Sequence, residues 1–178
     1  MNITELETLI DQYGTDILRF CRTICGNRYD ADDLYQETLL VAMRKLDILD
    51  DRKNVKSYLL SVAVNLHKRS MRDNAVHRRI ASSDSYEALI ENGWDIQTGL
   101  QDDPENISIQ QEALETIRLA VFDLPQKYRI PICLFYASGM SIAEIADCLK
   151  LPKGSVKSRL HRGKLMIKKH LEVAGYER

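Results

Sequence analysis

No run of about 18 apolar residues occurs in this chain of 178, so nothing in it reads as a membrane span. Its first residues are acidic, without the basic stretch and apolar core of a signal peptide, so the cytoplasm is the expected location. Cysteines are few: Cys21, Cys25, Cys133 and Cys148. In a reducing compartment they are read as small buried hydrophobes. Cys21 and Cys25 stand four apart, a spacing that lets both face a metal on a helix. No second pair at zinc spacing accompanies them, so no metal is expected. There is also no glycine-rich phosphate loop and no Ser/His/Asp or Cys/His constellation. The chain is therefore not expected to be an enzyme, and no cofactor is implied. Nothing reads as a strand.

What is present is helical periodicity. Thr4 with Glu7 is a capping-box pair. Leu6, Leu9, Ile10, Tyr13, Ile17, Phe20 and Ile24 then form one stripe to about Cys25, and Gly26-Asn27 ends it. Asp30 is placed as the cap of a second helix, to about Leu46, with Asp32 and Asp33 in its first turn, where the macrodipole favours anions. After a charged loop, Asp47–Val55, a third helix is expected over about Lys56–Arg72, with Leu59, Val62, Ala63 and Leu66 inward. Residues 81–106 lose periodicity and carry Ser, Gly and Asp-Pro loop signals around a lone Trp94. Further helices follow at about Ile109–Phe122, Gln126–Tyr136, Ile142–Lys150 and Ser155–Leu171. Pro125 suits a helix start, Pro131 lies near enough that start to cost little, and Ser141 with Glu144 forms another capping box. Gly163 inside the last helix costs roughly 1 kcal/mol relative to alanine, which close approach to DNA or a partner would justify.

Charge is nearly balanced, 25 basic against 26 acidic groups, yet it is segregated. Residues 56–79 are net +5, residues 80–117 net −9 and residues 150–170 net +8. Two basic segments separated by an acidic one suggest two DNA-contacting modules on one tether. The C-terminal segment has the most specific pattern. A short amphipathic helix from Ser141 to Leu149 is followed by a turn, Leu151-Pro152-Lys153-Gly154, and a basic helix. Val156 and Leu160 share its inner side, while Lys157, Ser158, His161 and Arg162 take the outer one. This is a helix-turn-helix of the size that enters a DNA major groove.

Four stretches in order resemble the extracytoplasmic-function (ECF) group of the sigma-70 family. Asp30-Ala31-Asp32-Asp33-Leu34-Tyr35-Gln36-Glu37-Thr38 resembles its polymerase-binding helix. Tyr58 to Leu66 resembles the helix that reads the −10 promoter element. Leu124 to Arg129 and Ser155 to Arg162 resemble the module that reads the −35 element. The resemblance covers nearly the whole chain. It implies an all-α protein of two small helical domains: residues 1–80 resembling sigma region 2, an acidic flexible linker over 81–106, and residues 107–178 resembling region 4.

The resemblance also implies partners: the β and β′ subunits of bacterial RNA polymerase core, promoter DNA and an anti-sigma factor, with no direct membrane insertion. Asp33, Gln36 and Glu37 share one helical side and are the expected core-binding residues. Lys56, Tyr58, Asn65, Lys68, Arg69 and Arg72 are expected at the −10 element. Tyr58 stands where the family usually has tryptophan, and keeps an aromatic face. The loop Asp47–Val55 is expected to capture a flipped base. Lys157, Ser158, His161 and Arg162 are expected in the −35 groove, with Lys153 and Arg159 on phosphate. The linker would span roughly 28 Å as a coil and about 85 Å when extended, against about 58 Å between promoter elements. An ordinary helix-turn-helix repressor or activator explains the C-terminal module but not the two helices upstream.

Overall fold

The computed structural model describes residues 3–45, 55–80 and 114–175, and every regular element among them is helical. The expected base-capturing loop, the acidic linker and Trp94 lie outside the described residues, as do the side chains of Thr4 and Glu7. Helix α1 spans Ile3–Cys25, α2 Arg28–Arg44 and α3 Val55–Ile80. Helix α4 covers residues 114–122. Then come α5 (Gln126–Ile132), a π-helical turn (Cys133–Ala137), α6 (Ile142–Leu149) and α7 (Lys153–Val173). No described helix is long and apolar enough to cross a membrane.

Local chemistry sets the boundaries. Gly26 takes φ +87°, which reverses the chain after α1 at little steric cost. Asn27, and not Asp30, caps α2: its side chain accepts from the backbone N–H of Asp30 at 2.8 Å. The helix thus starts three residues before the position that an Asp30 cap implies, because the Gly26 turn leaves Asn27 free to cap. Helix α3 runs past the expected Arg72 to Ile80. In the C-terminal half, Ser141 and Glu144 form the expected capping box. Lys150 then closes α6 in the left-handed conformation, φ 54°. The turn is shorter than expected, because α7 already starts at Lys153 with Pro152 before it. Pro131 lies buried inside α5, and the wider π turn follows it directly.

The N-terminal unit packs α1, α2 and α3 around Ile17, Phe20, Cys21, Ile24, Ala31, Leu34 and Leu59, all buried. Thr38 is fully buried and its hydroxyl donates to the Leu34 carbonyl at 2.7 Å. Leu59 and Ala63 point inward as expected, but Leu60 and Val64 are fully buried too. The reason is that α3 is covered from two sides: α1 and α2 on one, α6 on the other. The C-terminal unit is built on Leu134, Ile145, Cys148, Leu149 and Val156. Gly163 is buried where α7 crosses α5, and a Cβ there would stand 2.9 Å from Ile132 Cγ1. Its reason is thus helix packing inside the chain, not approach to DNA.

The two units touch. Gln126 Nε2 of α5 donates to the Ile24 carbonyl at 2.6 Å, and Ser57 of α3 donates to Glu144 Oε1 of α6 at 2.9 Å. Phe122 of α4 lies against Gly26, where an added Cβ would be 3.1 Å from its ring.

Candidate nucleic-acid and polymerase interfaces

Helix α2 presents Asp33, Gln36 and Glu37 to solvent, while Ala31, Leu34 and Thr38 on its other side are buried. The burial pattern fixes which face is free. Asp32 is drawn inward instead, between Arg22 at 3.7 Å and Arg28 at 3.6 Å. The acidic face is therefore narrower than the sequence run and centres on the three expected residues.

Helix α7 sorts itself equally clearly. Val156 is fully buried and Leu160 packs against the core, while Lys153, Lys157, Ser158, His161 and Arg162 are exposed. Arg159 is half-buried at the edge of this face. Tyr128 of α5 lies beside it; Arg162 and Lys127 hold its phenol below the ordinary value, Arg162 foremost. A rigid helix with its cations on one side and a second helix braced behind it has the form that lies in a major groove.

The expected −10 residues of α3 are less uniform. Lys56 pairs with Asp16 at 2.7 Å and lies 5.8 Å from the Tyr13 ring centroid. Tyr58 packs against the core, and burial raises its phenol. Arg69 is exposed and faces Asp73 at 3.9 Å. Arg72 donates from Nε to the Lys68 carbonyl at 3.2 Å. Asn65, Lys68 and Arg72 line a cleft of about 550 Å³ between the two units, whose far wall includes Lys127, Lys150 and Arg159. The structure thus brings one expected −35 residue, Arg159, to three expected −10 residues. Burial foremost, then repulsion from Arg159, Arg72 and Lys150, holds the Lys68 ammonium below its ordinary value, with Cys148 acting the other way.

His67 sits in the same wall and was not anticipated. It is buried to 7% exposure, with Nδ1 3.7 Å from Cys25 Sγ. His67 Nε2 and Gln126 Oε1 are both buried; neither meets strict hydrogen-bond geometry, yet the Gln126 side chain acts on the imidazole as its hydrogen-bond partner. Burial, foremost, pushes the imidazole below its ordinary value; Arg129 adds to this, while the Gln126 side chain and Asp30 oppose it. A lone histidine at an inward helix position gives no sequence signal for this. Gln126, Lys127 and Lys150 were also missed, since their role depends on how the two units meet. Cys21 is fully buried and Cys25 half-buried, both pushed up to about 12, chiefly by burial. No cluster of three or more His, Cys, Asp or Glu side chains suits a metal among the described residues. Leu114, Ile117 and Leu119 on α4, and Leu165 and Met166 on α7, remain exposed.

An acidic face on one three-helix unit and a basic helix-turn-helix on the next are the two marks of a sigma-70-type initiation factor. Comparison with known proteins points the same way. The family described as Sigma-70 region 2 matches residues 9–76, and Sigma-70, region 4 matches residues 114–167. The ECF RNA polymerase sigma factor EcfG of Rhodopseudomonas palustris is 30% identical over 176 residues, covering 95% of this chain and 90% of its own. SigW of Bacillus subtilis, also an ECF RNA polymerase sigma factor, is 29% identical over 92% of this chain and 87% of its own. In fold, the sigma factor RpoE of Bartonella quintana, solved with the anti-sigma factor NepR, superposes with a TM-score of 0.76 at 22% identity, over 96% of this chain and 99% of that one. CnrH, solved with the cytosolic domain of CnrY, gives 0.65 at 19% identity, over 97% and 90%. The chain belongs to the ECF sigma factors of the sigma-70 family.

Proposed function

We infer that this protein is the promoter-specificity subunit that RNA polymerase core borrows to start transcription. The observation that carries the reading is the pairing of two free faces of opposite charge on separate units: the α2 acidic face and the α7 basic face. One suits a basic surface on a protein, the other suits DNA. We propose residues 1–80 as the core-binding and −10 unit, 81–106 as the linker and 107–178 as the −35 unit. In this division Asp33, Gln36 and Glu37 dock on core. Lys56, Tyr58, Asn65, Lys68, Arg69 and Arg72 serve the −10 element. Lys157, Ser158, His161 and Arg162 read the −35 groove, while Lys153 and Arg159 hold phosphate. The chain performs no bond chemistry itself; RNA synthesis belongs to the polymerase, so it acts in the cytoplasm.

Control by an anti-sigma factor is part of the proposal. The relatives solved with NepR and with CnrY support it, as does the uncovered apolar surface on α4 and α7, which suits a protein partner.

The test is core capture and promoter-dependent transcription in vitro. The wild type is compared with the triple variant Asp33→Ala, Gln36→Ala, Glu37→Ala. Capture and transcripts that the variant loses are expected. A free protein that ignores core and binds duplex promoter tightly by itself would instead be an ordinary helix-turn-helix regulator.

A further inference from the structure

Tyr128 stands in the first turn of α5, where that helix crosses α7. Position 163 explains how close it comes. A Cβ there would stand 3.5 Å from the Tyr128 Cβ and 2.9 Å from Ile132 Cγ1, so the bare glycine lets α5 settle against α7. The crossing brings the Tyr128 phenol to Arg162, the residue just before that glycine, and to Lys127, its own neighbour. The Lys127 ammonium lies 4.9 Å from the Tyr128 ring centroid. Three side chains from two helices thus meet at the edge of the basic face of α7.

The donors and acceptors among them have fixed roles. Arginine and lysine only donate, so both give to the phenol oxygen of Tyr128, which accepts. One shared acceptor lets two cations stand side by side. The same contact restrains Arg162. Its side chain is long and exposed. Such a side chain loses rotamer freedom when a partner immobilises it, and that loss subtracts from affinity and selectivity. A guanidinium already tethered through one N–H has given up part of that freedom beforehand. Its remaining N–H groups still form the planar fork that grips two acceptors on one base edge in the major groove. Phenylalanine at position 128 would keep the ring and its packing but supply no acceptor.

We propose that Tyr128 is a positioning residue for the −35 contact: its phenol oxygen holds the Arg162 guanidinium in the orientation that reads a base in the major groove. Acting through Arg162, it sets which base pair is preferred at one place in the element more than how tightly the duplex is held overall. This role rests on the proposed function, which sends α7 into the groove; the tether between Tyr128 and Arg162 does not.

Two readouts on the full chain test it, and the first needs no DNA. Ultraviolet titration of the wild type, with the curve of Tyr128→Phe subtracted, isolates one phenol of the eight in the chain. That phenol is expected to titrate below its ordinary value, and to move up in Arg162→Ala. A curve that Arg162→Ala leaves unmoved overturns the tether. The second readout is selection of −35 sequences from a pool of randomised duplexes by the full chain on bacterial core polymerase. Arg162→Ala is expected to lose preference at one or two adjacent base pairs. Tyr128→Phe is expected to lose about three- to tenfold of the preference at those same pairs, the scale of one hydrogen bond, and to keep it elsewhere. In the Arg162→Ala background the phenylalanine is expected to change nothing further. Preference lost at every pair alike, lost only at other pairs, or lost nowhere overturns the positioning role and leaves the proposed function standing. A wild type that core does not capture, or that selects no sequence, sinks the proposed function and the positioning role with it, even where the titration shows the tether.

Discussion

Helices α3 and α7 are both basic, both long and both expected to read promoter DNA, yet the fold treats them differently. Helix α7 buries one stripe against α5 and α6 and leaves Lys157, Ser158, His161 and Arg162 free. Helix α3 is covered by α1 and α2 on one side and approached by α6 on the other, so Asn65, Lys68 and Arg72 face a cleft. The difference teaches that a basic residue's exposure depends on what packs beside it: on α3, Lys68 is half-buried at the cleft while Arg69 and Arg72 stay exposed. In this arrangement the surface proposed for the −35 element is open to solvent, whereas part of the surface proposed for the −10 element is shared with the other unit. On the proposed assignment, engaging both elements together requires the units to separate.

The largest expected effect breaks the comparison by removing one partner. Leu59→Ala opens a cavity in the fully buried core of the N-terminal unit and costs about 2–5 kcal/mol there. Denaturant unfolding followed alongside −35 duplex binding should show the N-terminal transition move while the C-terminal unit still binds. Equal loss from both units would mean that they fold as one.

Next in size, Lys157→Ala with Arg162→Ala addresses the open helix alone. A lost base contact costs about 1–3 kcal/mol in −35 affinity. Each residue that touches phosphate instead lowers the salt slope of binding by about 0.9. The same pair placed in a promoter lacking its −35 element should change nothing.

A smaller effect sharpens the comparison at the cleft. Ser57→Ala with Gln126→Ala removes two of the hydrogen bonds that join the units, each worth about 0.5–1.5 kcal/mol. Distance measurements between labels on α2 and α7 should lengthen, and affinity for single-stranded −10 DNA should rise. A shorter or unchanged distance would assign the closure to the apolar contacts.

The smallest effect is a pH dependence. His67 is buried, and its folded value lies below its ordinary 6.5. The unfolded chain therefore binds a proton more readily than the folded one. The contribution is complete above about pH 6.5 and is lost as the pH falls through the depressed value. Arg129 works with burial here, while Gln126 and Asp30 oppose it. Acid titration of stability should be shallower in His67→Gln than in the wild type.

Much of the fold was legible. The period of Ile17, Phe20 and Ile24, the capping box at Ser141, and the buried Val156 opposite Lys157 and Arg162 all obey rules that operate within one helix. What escaped depends on contact between elements distant in sequence. Gly163 is explained only by Ile132 across the α5–α7 crossing, and the second buried stripe of α3 only by α6. His67 and Gln126 are 59 positions apart and meet only because the units close, as the bond from Gln126 to Ile24 shows. Asn27 follows the Gly26 turn directly and caps α2, a role that the Gly-Asn pair does not distinguish from the end of α1.

Lys150 holds a left-handed turn that glycine would adopt freely and that costs other residues roughly 1–2 kcal/mol. The same side chain lines the cleft. A glycine there would make a steadier helix-turn-helix and a less cationic cleft, so position 150 is where robustness and charge bid for one residue, and the sequence has settled on charge.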